Sequence, residues 1–95
     1  MEDNFEETEK KSVILKFSQA QKLLTEKRRE LLQTLSEKEF NSITELSKEL
    51  GRDKKNTSKD IKKLYQTGII DLKNQGRSKK PVFEFEKIEI EGLEY

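Results

Sequence analysis

Ninety-five residues can support one small domain with a single core, and the 25 Leu, Ile, Val and Phe side chains, about 26% of the chain, clear the roughly 20% level below which disorder is expected. The absence of cysteine and histidine excludes disulfides, thiolate chemistry, His metal sites and His-based acid–base catalysis, leaving carboxylates as the side chains for any cation site. A net charge of +1 conceals a segregation: residues 1–50 hold 9 basic and 11 acidic side chains, residues 51–80 hold 10 and 3, and residues 81–95 hold 1 and 5.

The first twelve residues are polar, with a lone Phe5 and no periodic apolar pattern, and are expected to form a flexible acidic tail ahead of a single domain over residues 13–95. They lack the flanks of a signal peptide, and no apolar run approaches the roughly 18 residues of a membrane span, so a cytoplasmic protein without a membrane partner is expected. Val13 to Phe17 is a β-branched and aromatic run and reads as a short strand. Ser18 to Leu24 fits two helical turns with Ser18 as the N-cap, and Thr25 caps a second helix whose Glu26 suits the positive end of the helix dipole. Leu31, Leu32 and Leu35 give this helix one buried stripe, so Lys27, Arg28, Glu30 and Gln33 should face water. Arg28 and Arg29 could touch a phosphate, but the solvated face is the preferred reading.

Glu37 to Asn41 is a connection from which Phe40 plugs the core. Ser42-Ile-Thr-Glu45 spells a capping box, in which the Ser42 hydroxyl accepts from the N–H of residue 45 and the Glu45 carboxylate reaches back. The helix that follows places Ile43, Leu46 and Leu50 on one face and stops at Gly51. Only Gly51 and Arg52 separate it from Asp53, a second N-cap, so the next helix leaves at a steep angle in a helix-turn-helix. On that helix, residues 54–67, the predicted buried side is Thr57, Ile61, Leu64 and Tyr65, and the opposite side is Lys55, Asn56, Lys59, Lys62, Lys63 and Gln66. Asp60 is expected to serve a nearby donor, and Gly68 ends the helix.

Ile69 to Asn74 alternates, with Ile70 and Leu72 on one face, and reads as a strand. Gln75 to Lys80 is a turn with Gly76 at its bend and three cations, and Pro81 opens a return strand, Val82 to Glu86. Ile88 and Ile90 fall out of phase with Phe83 and Phe85, which puts a bulge or turn near Glu86 and Lys87 and lets the last segment pair elsewhere.

Three stretches carry a likeness: Ile-Thr-Glu-Leu-Ser-Lys-Glu-Leu-Gly (43–51), Lys-Asp-Ile-Lys-Lys-Leu-Tyr-Gln-Thr-Gly-Ile-Ile (59–70) and Gly-Arg-Ser-Lys-Lys-Pro (76–81). Taken in this order, the chain resembles winged helix-turn-helix regulators of the MarR and ArsR kind. More narrowly, Leu-Thr-Glu-Lys-Arg (24–28) followed by Leu-Gly-Arg-Asp-Lys-Lys-Asn (50–56) is similar to a family of small, largely archaeal or plasmid-borne transcriptional regulators. The resemblance implies an α+β winged helix-turn-helix fold, three to four helices followed by a β-hairpin wing. It also implies binding of double-stranded DNA, usually as a homodimer, with helix 54–67 in the major groove and the basic wing 75–81 on the backbone or minor groove.

Within that expectation the basic residues divide by chemistry. Lys55, Asn56, Ser58 and Lys59, with Lys54 at the margin, lie near the helix N-terminus, which enters the groove first, and their donors and acceptors suit base edges. Arg52, Lys62 and Lys63, with Arg77, Lys79 and Lys80 on the wing, suit the phosphate backbone, and Gln75 at the start of the wing turn is a further DNA-binding candidate. The leftover apolar pieces, Val13 to Phe17 and Ile88 to Leu93, are the expected dimer contact. The alternative is a winged-helix module whose Lys face docks an acidic protein. No catalytic residue, cofactor or metal is expected on either reading.

Overall fold

The computed structural model describes residues 12–84 and 87–91. The acidic stretch 1–11 and the junction at residues 85–86, on which the expected tail and bulge fall, lie outside the described residues. In chain order the elements are β1 (Ser12–Lys16), α1 (Phe17–Leu23), α2 (Glu26–Glu37), α3 (Ile43–Leu50), α4 (Lys54–Gln66), β2 (Asp71–Gln75), β3 (Ser78–Val82) and β4 (Lys87–Glu91). This is a small α+β domain in which a β2–β3 hairpin follows four helices.

Helix boundaries follow from local hydrogen bonds. The α1 helix begins at Phe17, ahead of the expected Ser18 cap, because the Gln19 side-chain oxygen accepts the Lys16 N–H at 3.0 Å and closes the first turn earlier. Strand β1 therefore stops at Lys16, and Phe17 is helical. Thr25 Oγ1 accepts from the Arg28 N–H at 3.3 Å and starts α2, whose Leu31, Leu32 and Leu35 are buried as their spacing predicts. At α3 the Ser42 hydroxyl takes the Glu45 N–H at 3.1 Å, but the Glu45 carboxylate accepts from Asn41 N–H at 3.0 Å, one residue before the expected Ser42. Gly51, at φ 66°, ends α3 in the left-handed conformation that costs a glycine no Cβ clash. The turn is then fixed by Arg52 N–H on the Ser47 carbonyl at 2.9 Å. Asp53 begins α4 through its backbone, since its carbonyl accepts both the N–H and the hydroxyl of the fully buried Thr57, each at 3.0 Å.

Leu31 of α2, Leu46 of α3, and Ile61 and Leu64 of α4 meet in the centre with no more than 1% of their surface exposed, and Phe40 fills in from the α2–α3 connection. Each such side chain contributes about 1.5–3 kcal/mol against the ordering entropy of its residue. Ile69 and Ile70 depart from the expected strand. Both N–H groups reach back to the Leu64 carbonyl, at 3.1 and 3.4 Å, so the chain wraps under the end of α4 and buries both side chains before β2 begins at Asp71.

The hairpin is also tighter than the sequence pattern suggests. Its register runs from Asp71↔Val82 to Gln75↔Ser78, leaving Gly76 and Arg77 as a two-residue loop, with Gly76 at φ 62°. Pro81 thus lies within β3, buried opposite Leu72, instead of opening the return strand, and β3 ends at Val82 where the sequence reading began it. Proline is tolerated there because its missing N–H falls on the edge of a two-stranded sheet.

The two end segments pair with each other. β1 and β4 pair in parallel, Ser12↔Lys87 through Lys16↔Glu91, and Leu15 and Ile88 close the core beside α1. Leu93 lies outside the described residues.

Candidate nucleic-acid interface

Each step along an α-helix turns about 100°. With Thr57, Ile61 and Leu64 buried, the opposite side of α4 is Lys55, Lys59, Lys62 and Gln66, spaced four, three and four residues apart and all exposed. Asn56 and Lys63, seven residues apart, share one flank with Asp60. Lys54 and Ser58 border the other flank, Lys54 exposed and Ser58 half-buried. Among the described residues none of Lys54, Lys55, Lys59, Lys62 and Lys63 has an ion-pair partner. Like charges one turn apart repel by a few tenths of a kcal/mol per pair, so this stripe is a cost to the isolated helix.

Tyr65 corrects the sequence reading: it is 48% exposed and does not belong to the core. Ile69 and Ile70, folded beneath the end of α4, are the side chains buried there. The phenol stands on the Ser58 flank, beside a cleft that it shares with Asp71 and Glu84 at the base of the hairpin.

The hairpin cations separate into two kinds. Arg77 and Lys79 are exposed and without ion-pair partners among the described residues. Lys80 donates to the Glu39 carboxylate at 2.9 Å with only 22% of its side chain exposed, and Gln75 Nε2 donates to Asn41 Oδ1 at 3.1 Å. Both fasten the hairpin to the α2–α3 connection. The hydrogen bond from Lys80, and then its charge, hold the Glu39 carboxyl below its ordinary pKa. Lys73, bonded to Glu84 at 3.1 Å, is raised above the ordinary lysine value by that hydrogen bond first and that charge second.

Two arginines are likewise engaged within the fold. Arg52 donates through Nη1 to the Lys27 carbonyl at 3.1 Å and through Nη2 to Glu30, with 13% of its side chain exposed, so it braces the α3–α4 turn against α2. Arg28, expected in water, is 14% exposed. Its Nε donates to Asp60 Oδ1 at 2.9 Å, and its Nη1 to the carbonyls of Lys22 and Leu23 at 3.2 and 3.1 Å. One side chain of α2 therefore ties the end of α1 to the middle of α4. Asp60 does serve a nearby donor, as its place among cations implied, but sequence spacing did not identify Arg28 as that donor.

These placements define an α+β domain that presents a basic stripe on one helix and two further cations at a hairpin tip, all without ion-pair partners among the described residues. The family model HVO_A0114 matches residues 23–90, from the last residue of α1 into β4, and the chain belongs to that family. No match to a curated protein was found. Among the described residues no helix is long and apolar enough to cross a membrane, and no group of three or more acidic side chains is placed to hold a metal ion.

Proposed function

We propose that the chain is a sequence-specific double-stranded DNA-binding transcriptional regulator of the winged helix-turn-helix class, acting as a homodimer in the cytoplasm. In this reading α4 is the recognition helix and β2–β3 the wing. The observation that carries it is five lysines on α4, Lys55, Lys59 and Lys62 on its outward stripe and Lys54 and Lys63 on the flanks, which with Arg77 and Lys79 of the hairpin have no ion-pair partners among the described residues. Such unneutralised charge is what a partner bearing phosphates would satisfy.

Lys55, Asn56, Ser58 and Lys59, with Lys54 at the margin, occupy the end of the helix that enters the groove and are assigned to base edges. Lys62, Lys63, Arg77 and Lys79 are assigned to phosphates. Arg52, Lys80 and Gln75 keep a place in the interface through a different role, because their bonds to Glu30, Glu39 and Asn41 hold the helix-turn and the wing in position. Four phosphate contacts give a slope of about −3.6 in log K against log salt on duplex DNA. Titrating a fluorescent duplex at several salt concentrations measures this slope, and selection from a random pool then finds the preferred site. No duplex binding at low salt would replace the DNA reading with the protein-interaction module.

A further inference from the structure

The β1–β4 pair is an unusual element for the surface of a small domain. Parallel sheets occur almost only with both faces covered, and two strands alone are marginal. One face of this pair is covered, with Leu15 3% exposed and Ile88 packed on the core. The other turns Ile14 to solvent at 54% exposure, more than any other large apolar side chain among the described residues. Each strand also has one edge that no described strand pairs.

Those two edges are guarded unequally. Exposed edge strands are normally blunted by charge, proline or a bulge. β4 carries Glu89 and Glu91 and lies in a stretch, residues 84–94, with five acidic residues and one basic. Antiparallel pairing of two β4 strands centred on Glu89 would set that carboxylate against Glu89 of the partner subunit, a like-charge pair. β1 reads Ser-Val-Ile-Leu-Lys, with one charge, no proline and no glycine. Its one charge, Lys16, sits at the end of the strand, so this edge is the less guarded of the two.

We infer that the free edge of β1 pairs with β1 of a second copy of this chain about a two-fold axis, giving a four-stranded sheet in the order β4-β1-β1-β4. Antiparallel pairing centred on Ile14 is self-complementary. It places Ile14 against Ile14 of the partner subunit and Lys16 opposite Ser12 of the partner subunit, so no like charges face one another. Lys16 is in register with Glu91 of its own β4, a residue of opposite charge. The inference rests on the homodimer part of the proposed function and gives that dimer a surface. It does not require DNA to be bound.

The chain has no cysteine, so a single introduced thiol reports its own neighbours. Opposed residues of an antiparallel pair have Cα atoms about 4.5–5.5 Å apart, within disulfide reach. Ile14→Cys is therefore expected to form a covalent dimer on mild oxidation without DNA, while Lys48→Cys, on the exposed face of α3, stays largely monomeric. Ile14→Lys is expected to sediment as a monomer at concentrations where the native chain dimerises, with an unchanged circular-dichroism spectrum because position 14 lies outside the core. A native chain that is monomeric at about 100 μM, a hundred times a micromolar Kd, would overturn the dimer itself and leave the DNA reading to the duplex titration. A native dimer that Ile14→Cys does not trap and Ile14→Lys does not dissociate would overturn the β1 surface alone.

Discussion

Removing the guanidinium of Arg28 tests how the α4 helix is held. Arg28→Met keeps the apolar stem of the side chain but deletes one charged hydrogen bond to Asp60 and two bonds to the carbonyls of Lys22 and Leu23. The two side chains are 14% and 19% exposed, so solvent replaces only part of what is lost. Breaking a fully buried pair costs about 3–5 kcal/mol, and a hydrogen bond to a charged group contributes about 1.5–3. For this partly wetted pair a loss of about 2.5 kcal/mol is expected, or about 10–15 °C in Tm for a domain of this size. Asp60→Asn alone is expected to cost about 1–2 kcal/mol, because the amide still offers an oxygen to Arg28. Urea unfolding of the two single variants and the double variant, followed by circular dichroism, gives the coupling energy. About 1–2 kcal/mol is expected, and additivity within about 0.5 kcal/mol would refute the claim that Arg28 acts on α4 through Asp60.

Four further outcomes follow from the same geometry. Lys59→Ala should weaken binding to the best duplex by about 1–3 kcal/mol and relax one base position; equal loss on all sequences would reassign Lys59 to a phosphate. Arg77→Ala with Lys79→Ala should reduce the salt slope by about 1.8, whereas Lys80→Ala, whose partner is Glu39, should change it by less than about 0.5. Tyr65→Ala should cost under about 1 kcal/mol in urea unfolding against about 2–5 for Leu64→Ala, which is fully buried; a loss of about 3 at Tyr65 would return that side chain to the core. Glu39 should titrate below an ordinary glutamate in a carboxyl-carbon NMR series, so its bond to Lys80 is present at neutral pH and is lost as pH falls through the lowered pKa. Lys80→Ala should return Glu39 to the ordinary value.

What the sequence made legible was the part written in local chemistry. Thr25, Ser42 and Gly51 each perform a capping task that depends on residues within a few positions, and the spacing of Leu31, Leu32 and Leu35 states which face of α2 is buried. Tyr65 is misplaced because its i+4 spacing puts it beside Ile61, whereas the buried face is centred on Thr57, Ile61 and Leu64 and leaves Tyr65 on the Ser58 flank. The internal bonds of Arg28, Arg52 and Lys80 are illegible for a related reason: their carboxylate partners lie 32, 22 and 41 residues away in sequence, so no local pattern distinguishes an internal brace from a solvated cation. The pairing of β1 with β4, between the two ends of the domain, was beyond any local rule, although the phase break before Ile88 did show that the last strand leaves the hairpin.

The division of labour among the cations is itself physical. Of the four arginines, Arg28 and Arg52 each bind a carboxylate and at least one backbone carbonyl at once, which requires several donors in a fixed plane. Lysine, a flexible and strongly hydrated point charge, lacks that planar fork, though Lys80 does bind one carboxylate, and it can follow a phosphate or a base edge with little cost in geometry. Residues 51–80 hold ten cations, of which Arg52, Lys73 and Lys80 are engaged internally, leaving seven unpaired among the described residues, five on α4 and two on the hairpin. The net +7 read from the sequence thus coincides in size with the free set but is not made of the same charges, because three cations and three anions of this segment cancel in the count without all meeting in space. Asp60 meets Arg28 of another helix, and Lys80 meets Glu39 of another loop. The outward field of α4 is therefore set by which cations the fold consumes, and the two arginine braces fix where the unconsumed lysines point.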